Sequence, residues 1–387
     1  MRIQFLIRAL SLGGAERQLV LLAEGLARRG HKVEVLTFYQ GLPVLEQRLE
    51  RQAIKVVQLR KRGRADVLGF IRSLKSAVNV FEPDVVYSFL PTANVISALV
   101  FRQPSHPAIV WGIRSSSVSL PGYDWLGRAL ARLERWLRKS PHAVICNSRA
   151  GYDLYRTLEF PVDRLSIVRN ALDLEENRFD PEARARFRVL LGVRDSTLVV
   201  GAAGRIDPVK GFEVLIKAVA AIRDSLGDVV LAIAGDGPAD YRRSLETVAA
   251  QAGVADRVKW MGRVDCMKDF YSAVDVFCSS SIGAEATSNV IAEALSCERL
   301  TIATAVGDSP ELLADASLIA RPGEVDSLAN ALASAVALLP NWEGARARAR
   351  IAASLSVDTA IEETEQALMR ASALRRSGDS VTRQVEF

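Results

Sequence analysis

Apolar residues occur along the chain in short runs, separated by loops and by segments whose apolar positions recur with helical spacing. The first run, at residues 2–8, is followed by a loop, a helix predicted over about 16–29 and a second run at 31–38. This strand–helix–strand alternation indicates parallel sheets covered by helices on both faces. Further strands are predicted within residues 56–59, 81–90, 108–114, 143–147, 165–169, 198–203, 229–238, 258–263 and 275–280.

The run of strands is interrupted before Arg194, where the sequence becomes charged and loses strand character. A chain of 387 residues is long enough for two domains of ordinary size. The pattern therefore predicts an α/β protein with a domain at residues 1–178 and a second at 179–365. A C-terminal helix and tail at 366–387 are expected to return to the first domain.

Residues 278–312 form the segment around which the predicted function is organised. Glu285 lies in a loop, Ser288 is expected to cap the following helix with its hydroxyl, and Glu293 falls in the second turn of that helix. The start of a helix suits a phosphate, and the two carboxylates can accept hydrogen bonds from sugar hydroxyls. The alternative is that Glu285 and Glu293 are ordinary solvated acids.

Composition limits the classes of function without selecting one. The net charge of +5 and the pI of about 9.1 suit anionic partners, but the basic segments lack the interleaved aromatic residues of a nucleic-acid site. Four cysteines and three histidines show no zinc spacing, so reduced thiols in a cytoplasm are expected. No apolar run of about 18 residues occurs, so no membrane span is predicted.

The segment Trp125–Ser140 predicts a basic amphipathic helix. The two interpretations are a helix packed on the sheet and a helix that contacts an anionic membrane surface. Its apolar stripe is predicted to consist of Leu126, Leu130, Leu133, Trp136 and Leu137.

With the sequence GRIDPVKG at residues 204–211 and the two spaced glutamates, the chain resembles the family 4 retaining glycosyltransferases of the GT-B fold. The resemblance covers nearly the whole chain and implies two Rossmann-like domains with parallel sheets facing across a cleft. Its other motifs, in chain order, are GGAER (13–17), CNSRAG (146–151), VRNALD (168–173), AGDGP (234–238) and SNVIAEA (288–294).

The resemblance implies roles for individual residues of a nucleotide-sugar site. Arg205 and Lys210 match the basic pair that faces the donor diphosphate, Glu285 the residue near the donor sugar, and Glu293 the residue that holds the ribose. Fixed cations at a departing diphosphate stabilise the charge that develops there. The other implied residues are Ser288, Asn289 and Val290 for the phosphates, Gly235 and Arg263 for the nucleotide, and Gly13 and Gly14 for the donor.

Three positions depart from the family pattern. Ala286 and Ala171 stand where the family usually has glycine, and Arg114 closes a strand near which many members carry a histidine. Arg114 is instead a candidate for acceptor or phosphate binding. No acidic pair of the DxD type stands in a suitable loop, so no metal or other cofactor is expected.

The sequence therefore predicts a cytoplasmic transferase that moves a hexose from a UDP- or GDP-sugar to a glycan acceptor, expected to be lipid-linked. The expected pathway is synthesis of a cell-surface polysaccharide such as lipopolysaccharide or exopolysaccharide, with peripheral contact to the inner membrane face. Two alternatives are a nucleotide-sugar epimerase of the same fold and a GT-B scaffold that has lost its chemistry.

Overall fold

The computed structural model describes residues 1–11, 13–63, 66–101, 103, 106–114, 125–283 and 285–384. The chain forms two compact units, one of Met1–Ala171 with Val357–Phe387 and one of Leu172–Ser356. The limits predicted from the sequence were placed at 178 and 365. Leu172 is part of the hydrophobic core of the second unit, so the second unit begins at Leu172 rather than at residue 179.

The first unit contains a seven-stranded sheet in which every strand pair is parallel, with the order β3-β2-β1-β4-β5-β6-β7. Hydrophobic clusters lie on both faces, because successive strand residues such as Phe5 and Leu6 point to opposite sides. The elements up to the end of this sheet are β1 (Arg2–Ile7), α1 (Gly14–Arg28), β2 (Lys32–Thr37), α2 (Pro43–Arg51), β3 (Lys55–Gln58), α3 (Val67–Phe81), β4 (Val85–Phe89), α4 (Leu90–Val100), β5 (Ala108–Ile113), α5 (Trp125–Trp136), β6 (Ala143–Cys146), α6 (Arg149–Thr157) and β7 (Leu165–Ile167).

The second unit repeats this architecture with a six-stranded parallel sheet of order β10-β9-β8-β11-β12-β13. Val199 and Val200 show the same alternation between two hydrophobic clusters. Its elements are α7 (Pro181–Leu191), β8 (Leu198–Ala203), α8 (Phe212–Ala221), α9 (Arg223–Leu226), β9 (Val229–Ala234), α10 (Ala239–Gln251), β10 (Val258–Gly262), α11 (Met267–Ala273), β11 (Val276–Ser279), α12 (Asn289–Ser296), β12 (Leu300–Thr304), α13 (Ser309–Leu313), β13 (Ile319–Ala320), α14 (Val325–Leu338) and α15 (Gly344–Ser354).

The last helix, α16 (Val357–Gln384), belongs to the first unit. Ala360, Ile361, Leu368 and Ala371 are buried in the same hydrophobic cluster as residues of β1 and α1. The helix begins nine residues before the C-terminal segment that the sequence analysis assigned, because its first apolar turn already packs on that cluster.

Among the helices that were not identified from the sequence are α2, α4 and α7. Each begins with proline in its first turn, at Pro43, Pro91 and Pro181, where the missing N–H group costs no helical hydrogen bond. In α7, Asp180 caps the helix by accepting hydrogen bonds from the N–H groups of Glu182 and Ala183, both at 3.0 Å. The charged segment before Arg194 is therefore helical.

The helix α5 shows that one member of the predicted apolar stripe is wrong. Leu137 is buried, and Leu130 and Leu133 pack against the core, whereas the side chain of Trp136 is 66% exposed. Trp136 lies one position before Leu137, about 100° around the helix from the stripe. The side chain of Leu126 lies outside the described residues.

In both sheets the first strand lies in the interior of the sheet. The chain adds two strands on one side of it and then adds the remaining strands on the other side. In such sheets ligands bind outside the carboxyl ends of the strands, at the point of reversal. That point lies between β1 and β4 in the first unit and between β8 and β11 in the second. The predicted donor-site residues 204–211 and 280–293 follow β8 and β11.

Candidate nucleotide-sugar site

The loop after β8 holds the two predicted diphosphate-binding cations in different environments. Arg205 is 72% exposed and pairs with Asp207 at 2.9 Å. The other carboxylate oxygen of Asp207 accepts a hydrogen bond from the N–H of Val209 at 3.0 Å, which caps the short turn Pro208–Lys210. Asp207 thus shapes the loop and gives Arg205 a partner, a role that the sequence analysis missed, although an Asp-Pro pair is a common turn signal.

Lys210 is less exposed than Arg205 and contacts the segment that follows β11. Its Nζ donates a hydrogen bond to Oε1 of Glu285, and the two side chains are only 25% and 15% exposed. The same oxygen of Glu285 accepts a hydrogen bond from the hydroxyl of Ser281 at 3.1 Å. The hydroxyl of Ser280 donates to the backbone oxygen of Lys210 at 2.8 Å. Lys210 and Glu285 therefore meet as a partly buried ion pair beside the point of strand reversal.

The loop between β12 and α13 supports the backbone of Glu285. The N–H of Asp308 donates to the backbone oxygen of Ala286 at 2.9 Å. Gly307 has a φ of +58°, and a Cβ atom there would lie 2.4 Å from the backbone oxygen of Glu285 and 2.2 Å from that of Ala286. Only glycine allows this approach, so Gly307 helps to place Glu285.

The helix α12 begins directly after this loop. Ser288 occupies the capping position as predicted, but its side chain makes no capping hydrogen bond, so the expected role of its hydroxyl is wrong. Ser288 has a φ of −83° and ψ of 104°, and it is 2% exposed. Asn289 and Val290 are the first residues of the helix, and its positive end therefore lies next to the segment that carries Glu285.

Glu293 lies in the second turn of α12, as predicted, and is 5% exposed. Its Oε2 accepts a hydrogen bond from the hydroxyl of Tyr271 at 2.7 Å. Tyr271 lies on α11 and was not identified from the sequence, because no periodic pattern links residues on two separate helices. The interpretation of Glu293 as a solvated helix-face acid is contradicted by its burial.

Close backbone contacts line the neighbouring strand ends. Gly235, which follows β9, has a φ of +147°, and a Cβ atom there would lie 1.8 Å from the backbone oxygen of Gly204. The N–H of Gly235 donates to the oxygen of Gly262 at 2.7 Å. Arg263, after β10, is 52% exposed and pairs with the exposed Asp265 at 3.2 Å. Gly235 therefore serves loop packing, and Arg263 lies at the surface.

In the first unit, Gly13 and Gly14 lie at the start of α1, after the carboxyl end of β1. Gly13 has a φ of −73°, so its backbone conformation does not require glycine. A Cβ atom at Gly13 would come within 2.2 Å of the carboxylate of Glu16, which is the end of a flexible side chain. Their predicted contact with the donor stays a prediction.

Arg114 follows β5 and is held by three groups of the first unit. Its guanidinium donates to Oδ1 of Asn170 at 3.0 Å and to the hydroxyl of Tyr87 at 3.1 Å, and it stacks 4.5 Å from the ring centre of Phe89. Its Nε atom is buried without a hydrogen-bond partner. Burial raises the pKa of Tyr87, and the charge of Arg114 opposes that shift. Arg114 is thus a partly satisfied, positioned cation.

The two alanines that depart from the family pattern fit their positions. Neither Ala171 nor Ala286 is among the residues with positive φ. The side chain of Gln18 accepts a hydrogen bond from the N–H of Ala171 at 2.7 Å and donates one to its backbone oxygen at 2.6 Å. Ala286 is 3% exposed. Neither position needs the conformational freedom of glycine.

Two family models match consecutive parts of the chain. Residues 12–176 match Glycosyltransferase Family 4, and residues 197–337 match Glycosyl transferases group 1. Together they cover most of both units.

Two relatives extend this similarity. One is a GDP-mannose-dependent phosphatidylinositol monomannoside mannosyltransferase of Mycolicibacterium smegmatis, 29% identical over 47% of this chain and 54% of the relative. The chain thus spans about half the length of that protein. The other is an α-1,4-N-acetylgalactosaminyltransferase of Campylobacter jejuni, named for a glycan on diphosphoundecaprenol, 27% identical over 76% of this chain and 77% of the relative.

Among solved structures, HepE of Anabaena in complex with UDP-glucose has a TM-score of 0.84, covers 95% of this chain and 99% of its own, and is 23% identical. That likeness shows the fold, which is GT-B with two Rossmann-like parallel sheets. The family rests on the two family models, which together span most of the chain: it belongs to the group 1 glycosyltransferases and is similar to family 4.

Proposed function

We propose that the protein is a retaining glycosyltransferase that moves a hexose from a UDP- or GDP-sugar to a glycan acceptor. The observation that carries the proposal is the cluster at the carboxyl ends of β8 and β11. There a partly buried Lys210–Glu285 pair lies just before helix α12, and the capping residue Ser288 of that helix makes no side-chain capping bond. The family, and the relatives that act on GDP-mannose or bind UDP-glucose, support a nucleotide-sugar donor.

The donor diphosphate is the part for which this cluster is best suited. Lys210 and Arg205 supply positive charge, and the backbone N–H groups of Ser288, Asn289 and Val290 supply donors at the positive end of α12. As the bond to the sugar breaks, negative charge grows on the diphosphate, and these groups stabilise it there. Glu293 accepts hydrogen bonds from the ribose hydroxyls.

Glu285 has two tasks in this scheme. Its ion pair holds the ammonium group of Lys210 in place before the donor arrives, and its carboxylate faces the hydroxyls of the donor sugar. Within the described residues, no three His, Cys, Asp or Glu side chains are grouped as metal ligands. We propose that cations and helix N–H groups bind the diphosphate without a metal ion, and activity in the presence of a chelator tests this.

Retention of configuration follows the family expectation of attack on one face of the sugar. The acceptor oxygen forms a bond to the anomeric carbon on the face where the bond to the diphosphate breaks. The acceptor proton passes to an oxygen of the departing phosphate. The chain's own contribution is to bind and orient the donor and to stabilise the leaving group.

The acceptor class is proposed from two relatives whose acceptors carry a lipid, phosphatidylinositol monomannoside and a diphosphoundecaprenol glycan. Helix α5 presents an exposed Trp136 and a partly exposed Arg135, groups that suit the surface of an anionic bilayer. None of the helices in the described ranges is long and apolar enough to cross a membrane. Arg114 is proposed to contact the acceptor.

The test is a transfer assay with a panel of UDP- and GDP-sugars, with undecaprenyl-linked glycans and phosphatidylinositol glycosides as acceptors, in anionic vesicles and with and without EDTA. The expected result is an acceptor-dependent glycoside of retained configuration that forms in EDTA. A sugar nucleotide converted without acceptor would identify an epimerase. Absence of any nucleotide binding by calorimetry would leave a scaffold and overturn the proposal.

A further inference from the structure

A buried tyrosine contacts the carboxylate that is proposed to hold the ribose. The hydroxyl of Tyr271 lies 2.7 Å from Oε2 of Glu293, and the two residues are 0% and 5% exposed. They are 22 positions apart and lie on different helices, α11 and α12. The hydrogen bond is therefore a tertiary contact that fixes one oxygen of the carboxylate.

The ring of Tyr271 has little freedom to move. It packs edge-on against Phe277, with ring centres 5.3 Å apart, and against Phe270 at 5.9 Å. Phe277 belongs to β11, a central strand of the second sheet. Close packing of this kind holds the phenol in a single orientation, so the position of its hydroxyl is set by the core rather than by solvent.

The position of α11 in the chain is a second reason to connect Tyr271 with nucleotide binding. This helix begins four residues after Arg263, which the family resemblance assigns to the nucleotide. Tyr271 therefore connects the helix that follows Arg263 with the helix that carries Glu293. A carboxylate that is to accept hydrogen bonds from two adjacent hydroxyls must hold its plane in a defined direction.

We propose that Tyr271 is a positioning residue that acts through Glu293 and sets the preference of the site for a nucleotide with ribose hydroxyls. This inference rests on the proposed function, because it takes Glu293 as the group that contacts the ribose. Tyr271 itself does not touch the nucleotide. Its removal leaves the carboxylate present but takes away the hydrogen bond that orients Oε2, so contacts to the hydroxyls weaken while contacts to the phosphates persist.

The experiment compares wild type with Tyr271→Phe by titration calorimetry, using UDP, GDP and their 2′,3′-dideoxy forms. Whichever of UDP and GDP wild type binds more tightly, the variant is expected to bind it about tenfold more weakly, since a hydrogen bond to a charged group is lost. Its affinity for the dideoxy form is expected to stay within about twofold of wild type. Glu293→Gln should reduce the same ribose preference, and the double variant should show no further loss.

The first unit offers a matched control. The hydroxyl of Tyr155 donates to Oε2 of Glu134 at 3.0 Å, and the two residues are 4% and 3% exposed. Burial raises the pKa of Glu134. Tyr155→Phe removes the same group from a similar buried pair, so it should lower the midpoint of thermal unfolding without changing the ratio of ribo to dideoxy affinities.

The outcomes separate the two levels of the proposal. If wild type binds no nucleotide, the proposed function fails; if it binds ribo and dideoxy forms equally, the role of Glu293 fails. If wild type prefers ribose and Tyr271→Phe keeps that preference, or loses affinity for both forms equally, the role of Tyr271 is overturned. Should the variant not fold, a structure of wild type with UDP decides: Tyr271 bonded to a Glu293 that contacts O2′ or O3′ supports the inference, and a broken Tyr271–Glu293 contact contradicts it.

Discussion

The carboxyl ends of the two sheets share a strand order but differ in how their charged residues are held. In the second unit, Lys210 and Glu285 form a pair at the surface end of the sheet, supported by loops that pack through glycines. In the first unit, Arg114 lies in a network with Tyr87, Asn170 and the ring of Phe89. The same topology thus supplies an ion pair in one unit and a stacked, hydrogen-bonded cation in the other.

Strand order therefore determines where a site lies, whereas the neighbouring side chains determine its chemistry. A lysine paired with a single carboxylate can exchange that partner for a phosphate at modest cost. An arginine that donates to a tyrosine and an asparagine and stacks on a ring cannot leave without uncovering buried polar groups. We therefore expect substitutions in the second unit to affect turnover first, and those in the first unit to affect acceptor binding and stability.

The largest effect is expected for Lys210→Ala. Loss of the cation removes stabilisation of the departing diphosphate and breaks the ion pair with Glu285, so kcat/KM should fall at least about 100-fold. The matched control is Lys217→Ala, which breaks an exposed pair with Glu213 on α8 and should leave kcat/KM within about twofold. Steady-state kinetics with the preferred donor measure both. Wild-type turnover in Lys210→Ala would refute the phosphate assignment.

A smaller effect is expected for Gly307→Ala, which changes the support of Glu285 without touching its side chain. The added Cβ would meet two backbone oxygens, so the variant should lose about 2–4 kcal/mol of stability and at least about tenfold in kcat/KM. Gly192→Ala is the control, because Gly192 has a φ of +68° but nothing within 4 Å of an added Cβ. It should cost about 1 kcal/mol and leave the kinetics unchanged. Equal effects of the two variants on kcat/KM would contradict the supporting role of Gly307.

The sequence predicted the parts of this comparison that depend on local patterns. Alternating apolar runs identified two parallel sheets, and the spacing of polar and apolar residues placed Glu285 in a loop and Glu293 in a helix. These features follow from short continuous apolar runs and from the helical period of 3.6 residues, both of which are visible within ten to fifteen positions.

The contacts that join distant segments could not be predicted in this way. Lys210 and Glu285 are 75 positions apart, and Tyr271 and Glu293 are 22 apart. Nothing in the composition of either partner indicates the other. Ser288 illustrates the remaining limit, since its capping position follows from residue type, whereas the direction of its hydroxyl depends on the packed loop around it.

The smallest effect on turnover is expected for Arg114→Met, which sharpens the comparison from the side of the first unit. The substitution keeps an apolar stem over Phe89 but removes the hydrogen bonds that Arg114 donates to Tyr87 and Asn170, so stability should fall by about 1–3 kcal/mol. If Arg114 contacts the acceptor, the KM for the acceptor should rise about fivefold while the KM for the donor stays constant.

The control for Arg114 lies at the opposite end of the same sheet. Arg2 also stacks on a phenylalanine, 4.9 Å from the ring centre of Phe81, and its Nε donates to the backbone oxygen of that residue at 2.6 Å. Arg2→Met should therefore lower the free energy of unfolding, measured by urea denaturation, without changing either KM. Because both variants lose a stacked guanidinium, a rise in acceptor KM confined to Arg114→Met reports contact with the acceptor. The same rise in both variants would show that it comes from lost stability, and Arg114 would then be structural.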